Sequence, residues 1–185
     1  MKKALQIGVM GSAADLGYAR ELEQAAETAG RLIAEQGGIL VFGAEKDSDS
    51  LSTCAFRGAK AAGGITVGVT YGKGQDIWGE APTVIIPSGL ERGGGRELTL
   101  VLSCDAIIAI SGGSGTLTEI AIAYQAGIPT VALKGFGGWA DRLADTFLDG
   151  RERRKILSAA TPEEAVRLAL LEALNYRTGT SRFTA

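Results

Sequence analysis

The sequence predicts a doubly wound α/β fold, which is a parallel sheet of about six to seven strands with helices on both faces. Short runs rich in Ile and Val alternate with segments of helical periodicity along the 185 residues. The runs are apolar throughout, as expected for strands that are covered on both faces of a parallel sheet. In such folds a ligand binds beyond the carboxyl ends of the strands, at the point where the strand order reverses.

Each predicted strand is a short apolar run bounded by glycine, proline or polar residues. In chain order the predicted strands cover residues 4–10, 39–42, 65–70, 83–87, 106–110 and 130–133, with 155–158 as a short edge strand. The predicted helices cover residues 18–36, 50–62, 96–103, 117–126, 139–148 and 162–174.

Local signals support the first and last helices in particular. Apolar residues between 22 and 33 fall on one helical face, and Gly37-Gly38 ends that helix. Thr161, Pro162 and Glu164 stand at the N-cap, N1 and N3 positions of the last helix. Residues 175–185 are polar without apolar periodicity, so we expect a flexible tail after a single domain over residues 1–174.

The composition excludes several classes of chemistry. The net charge is −2 and histidine is absent. Without histidine there is no Ser-His-Asp or Cys-His nucleophile, no histidine general base and no histidine-ligated metal. The charge gives no positive excess to attract nucleic acid or an anionic membrane, so neither is an expected partner. We expect no cofactor and no bound metal.

Cysteine content and hydropathy favour a cytoplasmic protein. Cys54 and Cys104 are too few for a four-thiolate zinc site. Both stand among apolar residues, which favours buried reduced thiols, with a disulfide between them as the alternative. The N-terminal apolar run is too short for a signal peptide, and no window reaches the ~18 apolar residues of a membrane-spanning helix.

The strongest functional signal follows the fifth predicted strand, where Ser111-Gly112-Gly113-Ser114-Gly115-Thr116 leads directly into a helix. Glycines at such a turn let the backbone approach an anion, the helix N-terminus offers unpaired N–H groups, and Ser114 and Thr116 add hydroxyls. This pattern predicts a seat for phosphate or a similar oxyanion, with a tight turn that requires small residues as the alternative. The loop has neither a Walker lysine nor Gly-x-Gly-x-x-Gly spacing, so it predicts neither a P-loop nor a dinucleotide site.

Arg96 and Glu119 are candidate functional residues near this loop. Glu119 lies three residues after Thr116, so its carboxylate either faces a ligand in the loop or forms a capping box with Thr116. Arg96 follows three glycines, 93–95. It is either a solvated arginine at a helix start or a bidentate partner for a carboxylate or phosphate.

These residues resemble the Lonely Guy-like proteins, often labelled lysine decarboxylase-like. That family has an arginine, an aspartate nine positions later, and then Pro-Gly-Gly-x-Gly-Thr-x-x-Glu. Arg96, Asp105 and residues 111–119 match this register, with Ser111 in place of the proline. Residues 9–12 resemble the family's first-strand turn. Residues 127–131 and 137–142 resemble a bacterial branch that includes molybdenum cofactor carrier proteins.

The resemblance implies a Rossmann-like nucleotide-binding domain and assigns roles to individual residues. Arg96 and Glu119 fall on the family's catalytic pair, which cleaves the N-glycosidic bond of nucleoside 5′-monophosphates. The implied phosphate- and nucleotide-binding residues are Gly11, Ser12, Gly43, Gly112, Gly113, Ser114, Gly115 and Thr116. The resemblance also implies a homodimer or a higher homo-oligomer.

Two functions are therefore expected. The first is a phosphoribohydrolase that releases a base and ribose 5-phosphate, in which Glu119 stabilises an oxocarbenium-like transition state or orients water. The alternative is a non-catalytic carrier or sensor of a phosphorylated ligand, such as molybdenum cofactor or a nucleotide.

Two segments bear on the choice of ligand. Residues 42–47 replace the family's glycine turn with Phe-Gly-Ala-Glu-Lys-Asp, and we expect Glu45 or Asp47 to repel a nearby phosphate. Residues 71–78 either cover the ligand's base or form plain surface.

Overall fold

The computed structural model describes residues 3–14, 17–91, 93 and 95–179. These residues form a seven-stranded sheet in which all neighbouring strands are parallel. The strands are β1 (Gln6–Gly11), β2 (Ile39–Gly43), β3 (Thr66–Thr70), β4 (Val84–Pro87), β5 (Ala106–Ile110), β6 (Thr130–Leu133) and β7 (Leu157–Ala159). Their order across the sheet is β4-β3-β2-β1-β5-β6-β7.

Helices cover both faces of this sheet. They are α1 (Arg20–Glu35), α2 (Leu51–Ala61), α3 (Gly95–Leu102), α4 (Ser114–Ala126), α5 (Gly138–Leu143) and α6 (Pro162–Thr178). The apolar cores place α1, α2 and α6 on one face and α3, α4 and α5 on the other. Because both faces are covered, the central strands are apolar without alternation, and all of β5 is buried.

The strand order reverses between β1 and β5, as expected for a doubly wound sheet. β1 pairs with β2 on one side and with β5 on the other. The register sets Gly11 opposite Ile110, so the loops that follow β1 and β5 begin side by side at the carboxyl edge. Doubly wound sheets bind their ligands at this position.

The predicted fold class is confirmed, and most element ends lie within three residues of their predicted positions. α5 ends at Leu143 rather than at residue 148. Asp145 takes a φ of +63° and donates its backbone N–H to the Ile156 carbonyl (2.9 Å), which directs the chain away from the helix. The N-cap Thr161 accepts a hydrogen bond from the Glu164 N–H (3.3 Å), as predicted.

The last helix is longer than predicted. Residues 175–178, expected in the tail, are the final part of α6. Arg177 anchors them, because its Nε donates to the Asp105 carboxylate at 2.6 Å. Residues 180–185 of the expected tail lie outside the described residues.

Both cysteines are buried free thiols, in agreement with the favoured interpretation. In the part of the chain that the structure describes, no helix is long and apolar enough to cross a membrane.

Helices α1 and α2 approach closely through two glycines. A Cβ on Gly30 of α1 would lie 1.8 Å from the Ala55 carbonyl oxygen, and a Cβ on Gly58 of α2 would lie 1.9 Å from that of Glu27. The backbones of the two helices are therefore in direct contact at both positions, and neither glycine has room for a side chain.

Gly30→Ala is expected to destabilise the protein by about 1–3 kcal/mol, although alanine favours helix, because the new methyl forces α1 and α2 apart. Urea unfolding measures the effect. Gly115→Ala is the control, since a Cβ there meets no heavy atom within 4 Å. Equal stability of the two variants would contradict the close packing.

Candidate functional site

A cleft of about 450 Å³ opens at the carboxyl edge of the sheet, where the strand order reverses. Its walls include Gly11 and Ser12 after β1, residues 113–116 after β5, and the predicted pair Arg96 and Glu119. The structure thus brings together residues from three separate parts of the chain that the sequence predicted as one site.

The two other predicted site residues, Gly43 and Gly112, lie behind this wall and support it. A Cβ on Gly43 would lie 2.3 Å from Nη1 of Arg96, so only glycine leaves room for the guanidinium there. Gly112 has a φ of +96°, which favours glycine, and its N–H donates to Ser12 Oγ at 3.0 Å. That bond ties the loop after β5 to the loop after β1.

The N-terminus of α4 faces the cleft without a side-chain cap. Gly113 is the N-cap residue, and the first backbone bond of the helix is from the Leu117 N–H to the Gly113 carbonyl, at 3.1 Å. The N–H groups of residues 114–116 therefore have no partner within the helix, and they carry the positive end of its dipole. This arrangement is suited to an anion.

The loop before α4 is held from behind by α5. The backbone N–H groups of Trp139 and Ala140 donate to the carbonyls of Gly112 (3.0 Å) and Ser111 (2.9 Å). Ser111 has a φ of +53°, which proline cannot adopt. The replacement of the family's proline by Ser111 is thus compatible with the local backbone, and a proline here would not be.

The capping-box interpretation of Glu119 is wrong. It required Thr116 at the N-cap, but α4 begins at Ser114, so Thr116 lies inside the helix and Glu119 falls in its second turn. Both side chains are buried and line the cleft. In the described residues the Glu119 carboxyl has no hydrogen-bond or ion-pair partner.

Burial dominates the electrostatics of Glu119, which is 6% exposed. Loss of hydration raises its pKa from the ordinary 4.5 to about 8. The positive charge of Arg96 opposes this shift, while the negative charges of Glu97 and Glu45 add to it. Glu119 is therefore largely protonated at neutral pH.

Arg96 is 5% exposed and is not the solvated arginine of the alternative interpretation. Its Nη2 donates to Glu45 Oε1 at 3.3 Å and to Glu97 Oε1 at 3.4 Å. The guanidinium carbon lies 4.3 Å from the centroid of the Tyr71 ring, a cation–π contact, and the Tyr71 hydroxyl donates to Glu45 Oε1 at 2.8 Å.

Sequence reasoning found part of this cluster. It singled out Glu45 as a charged wall of the site, and Glu45 does line the cleft, whereas Asp47 is not among the described lining residues. It missed Glu97, although Glu97 directly follows Arg96 in the chain. Of the segment 71–78, Tyr71 packs on Arg96 at the cleft wall, while Trp78 at the other end is 47% exposed.

Asp105, part of the matched motif, is not in the cleft. It lies at the amino end of the sheet, where its carboxylate accepts the Gln6 N–H at 2.7 Å and pairs with Arg177. Its role in this structure is to join β1 and α6.

The model of the SLOG cluster4 family matches residues 4–166. The chain belongs to the SLOG cluster4 family. An uncharacterized protein of Archaeoglobus fulgidus is 33% identical over 132 residues, which are 71% of this chain and 82% of that protein.

Solved structures of similar proteins extend the comparison. The molybdenum cofactor binding protein of Rippkaea orientalis has a TM-score of 0.77 and 28% identity, over 92% of this chain and 98% of that one. The molybdenum cofactor carrier protein of Chlamydomonas reinhardtii has a TM-score of 0.75 and 31% identity, over 93% and 99%. The predicted relationship to a family that includes such carriers is confirmed.

The raised pKa of Glu119 predicts a pH dependence of stability. Between pH 4.5 and 8 the unfolded chain loses the Glu119 proton while the folded protein keeps it, so this group's contribution to stability falls as pH rises. Glu119→Gln has no such proton. The free energy of unfolding of this variant should therefore rise by about 1 kcal/mol or more, relative to that of wild type, between pH 5 and pH 8.

Thermal unfolding across this pH range measures the difference. Glu163→Gln serves as the control, because it makes the same change at an exposed position on α6. A constant difference between Glu119→Gln and wild type would contradict a buried protonated carboxyl.

Proposed function

We propose that this protein binds a small phosphorylated molecule in the cleft and serves as a carrier of a phosphorylated pterin such as molybdenum cofactor. The observation that carries the proposal is the open N-terminus of α4. In the described residues, the N–H groups of residues 114–116 have no partner within the helix, and these residues line the cleft together with the positive end of the helix dipole. That combination suits a phosphoryl group.

The local backbone leaves space for a phosphoryl group. A Cβ on Gly115 would meet no heavy atom within 4 Å, so nothing in the described residues covers the first turn of α4 there. Gly113 likewise carries no side chain between the helix end and the cleft. A phosphate oxygen can therefore reach the backbone N–H groups directly.

The comparisons support the carrier function over catalysis. Two proteins that align with nearly their whole length are named for binding or carrying molybdenum cofactor, at 28% and 31% identity. A carrier needs a cleft, which is present, and an anion seat, which the open N-terminus of α4 supports. It needs no activated water or nucleophile.

A second function, N-glycosidic cleavage of a nucleoside 5′-monophosphate, is favoured by Glu119. Its carboxyl lines the cleft near Arg96 with no partner in the described residues, and its pKa of about 8 leaves it able to exchange a proton at neutral pH. Water would add to C1′ of the ribose, and the base would leave with a proton. In the minor fraction of the protein in which Glu119 is ionised at neutral pH, its carboxylate would orient that water or stabilise the oxocarbenium-like transition state.

Two measurements separate these functions. The protein is incubated with a panel of nucleoside 5′-monophosphates, and free base is scored chromatographically beside Glu119→Gln. It is also mixed with molybdenum cofactor released from a molybdoenzyme, and the molybdenum retained after gel filtration is determined by mass spectrometry. Retained molybdenum without base release supports the carrier; base release that Glu119→Gln abolishes establishes the hydrolase instead.

The phosphate seat is tested by Gly115→Asp and Gly115→Asn, which have the same shape and differ in charge. A Cβ at Gly115 meets no heavy atom within 4 Å, so neither substitution forces the backbone to move. The negative charge of aspartate in the first turn of α4 interacts favourably with the helix dipole, so we expect the variant to fold. The same charge repels a phosphate at this position. We expect Gly115→Asp to bind adenosine 5′-monophosphate at least tenfold more weakly than Gly115→Asn, as measured by calorimetry.

Adenosine without phosphate is the control ligand and should not distinguish the two variants. Equal affinity of both variants for the monophosphate would contradict a seat at the N-terminus of α4.

A further inference from the structure

The cleft has two ends of different character. The Arg96 end is lined by Arg96, Glu45, Glu97 and Tyr71, and the α4 end is lined by residues 113–116. In the described part of the chain, the charged side chains that line the cleft are Arg96, Glu45, Glu97 and Glu119. Arg96 is packed against Gly43 at the end of β2 and against Tyr71 after β3, whereas α4 follows β5. Since β1 separates β2 from β5, the strands that lead into the two ends are roughly 10 Å apart, two strand spacings.

Arg96 lines the cleft with part of its hydrogen-bonding capacity already used. Its Nη2 already donates to the carboxylates of Glu45 and Glu97. In the described residues its Nε and Nη1 have no hydrogen-bond partner, and both atoms are buried from solvent. The Tyr71 ring lies over the guanidinium, and Gly43 lies against Nη1. At Nη2, a ligand oxyanion would have to compete with the carboxylates of Glu45 and Glu97.

We propose that Glu45 is a specificity-determining residue of the cleft. By occupying Arg96, Glu45 makes this end accept uncharged hydrogen-bond donors of the ligand and reject a second phosphoryl or carboxyl group. This inference rests on the proposed function, because it takes the α4 end as the seat of one phosphoryl group.

The packing around Glu45 shows why it holds this position. The Tyr71 hydroxyl and Arg96 Nη2 both donate to its Oε1, and the Trp78 N–H donates to its backbone carbonyl at 2.7 Å. Its side chain is 12% exposed, so its charge acts through a poorly hydrated environment. A second anion brought to this end would meet Glu45 and Glu97 at short range.

The ligand class follows from the two ends together. One end of the ligand carries a single phosphoryl group for the α4 N-terminus. The part that reaches Arg96 carries O–H or N–H donors, such as a sugar diol or the amino and lactam groups of a heterocycle, because carboxylate oxygens accept hydrogen bonds from them. A molecule with phosphoryl groups at both ends does not fit.

The test uses adenosine 5′-monophosphate and adenosine 3′,5′-bisphosphate, which differ by one phosphoryl group on the ribose. Calorimetry gives the affinity of each for wild type, Glu45→Gln, Glu97→Gln and the control Glu21→Gln, which makes the same charge change on the exposed side of α1. Inorganic phosphate is measured as a third probe. The melting temperature of each variant verifies that it is folded.

Wild type and Glu21→Gln are expected to bind the bisphosphate at least tenfold more weakly than the monophosphate. In Glu45→Gln this ratio should fall below threefold, and Glu97→Gln should change it in the same direction. Equal binding of both nucleotides by wild type, or a ratio unchanged in both Glu45→Gln and Glu97→Gln, overturns the inference and leaves the phosphate seat standing. Failure of all three probes to bind contradicts the proposed function itself, and the inference falls with it.

Discussion

The site depends on the parallel pairing of β1 with β5, because the strand order reverses there and two loops must emerge side by side. Gly11 lies opposite Ile110 in the register, and the next residues along each chain form the cleft wall. The bond from the Gly112 N–H to Ser12 Oγ connects the two loops directly. Any shift of this register would separate the glycine loop from the turn after β1, and the N-terminus of α4 would no longer face the cleft.

Buried charge is the second constraint on this region. A guanidinium and three glutamate side chains are nearly inaccessible to water, and such groups are costly unless they are paired or change protonation. The structure uses both solutions. Arg96 is held by Glu45 and Glu97, while Glu119, which has no partner among the described residues, has its pKa raised by burial to about 8. The same cluster that neutralises Arg96 thereby gives the cleft a carboxyl group that holds its proton at neutral pH.

The two ends of the cleft owe their characters to different kinds of structure. At the α4 end, backbone N–H groups and a helix dipole favour an anion, and no charged side chain is needed. At the Arg96 end, side chains from the turns after β2 and β3 and from α3 line the cleft. The backbone feature belongs to the fold, whereas Glu45, Tyr71 and Glu97 are particular side chains of this sequence.

The sequence by itself determined the fold class, nearly all of the elements and the residues of the glycine loop, because apolar periodicity and glycine turns are local signals. It also singled out Arg96, Glu119 and Glu45. Only the tertiary structure decided their roles. That α4 begins at Ser114, which rules out the capping box, depends on how α5 holds Ser111 and Gly112. Glu45, Tyr71 and Arg96 meet because β2, β3 and α3 are neighbours in space, a relation between residues 25 or more positions apart that no local pattern contains.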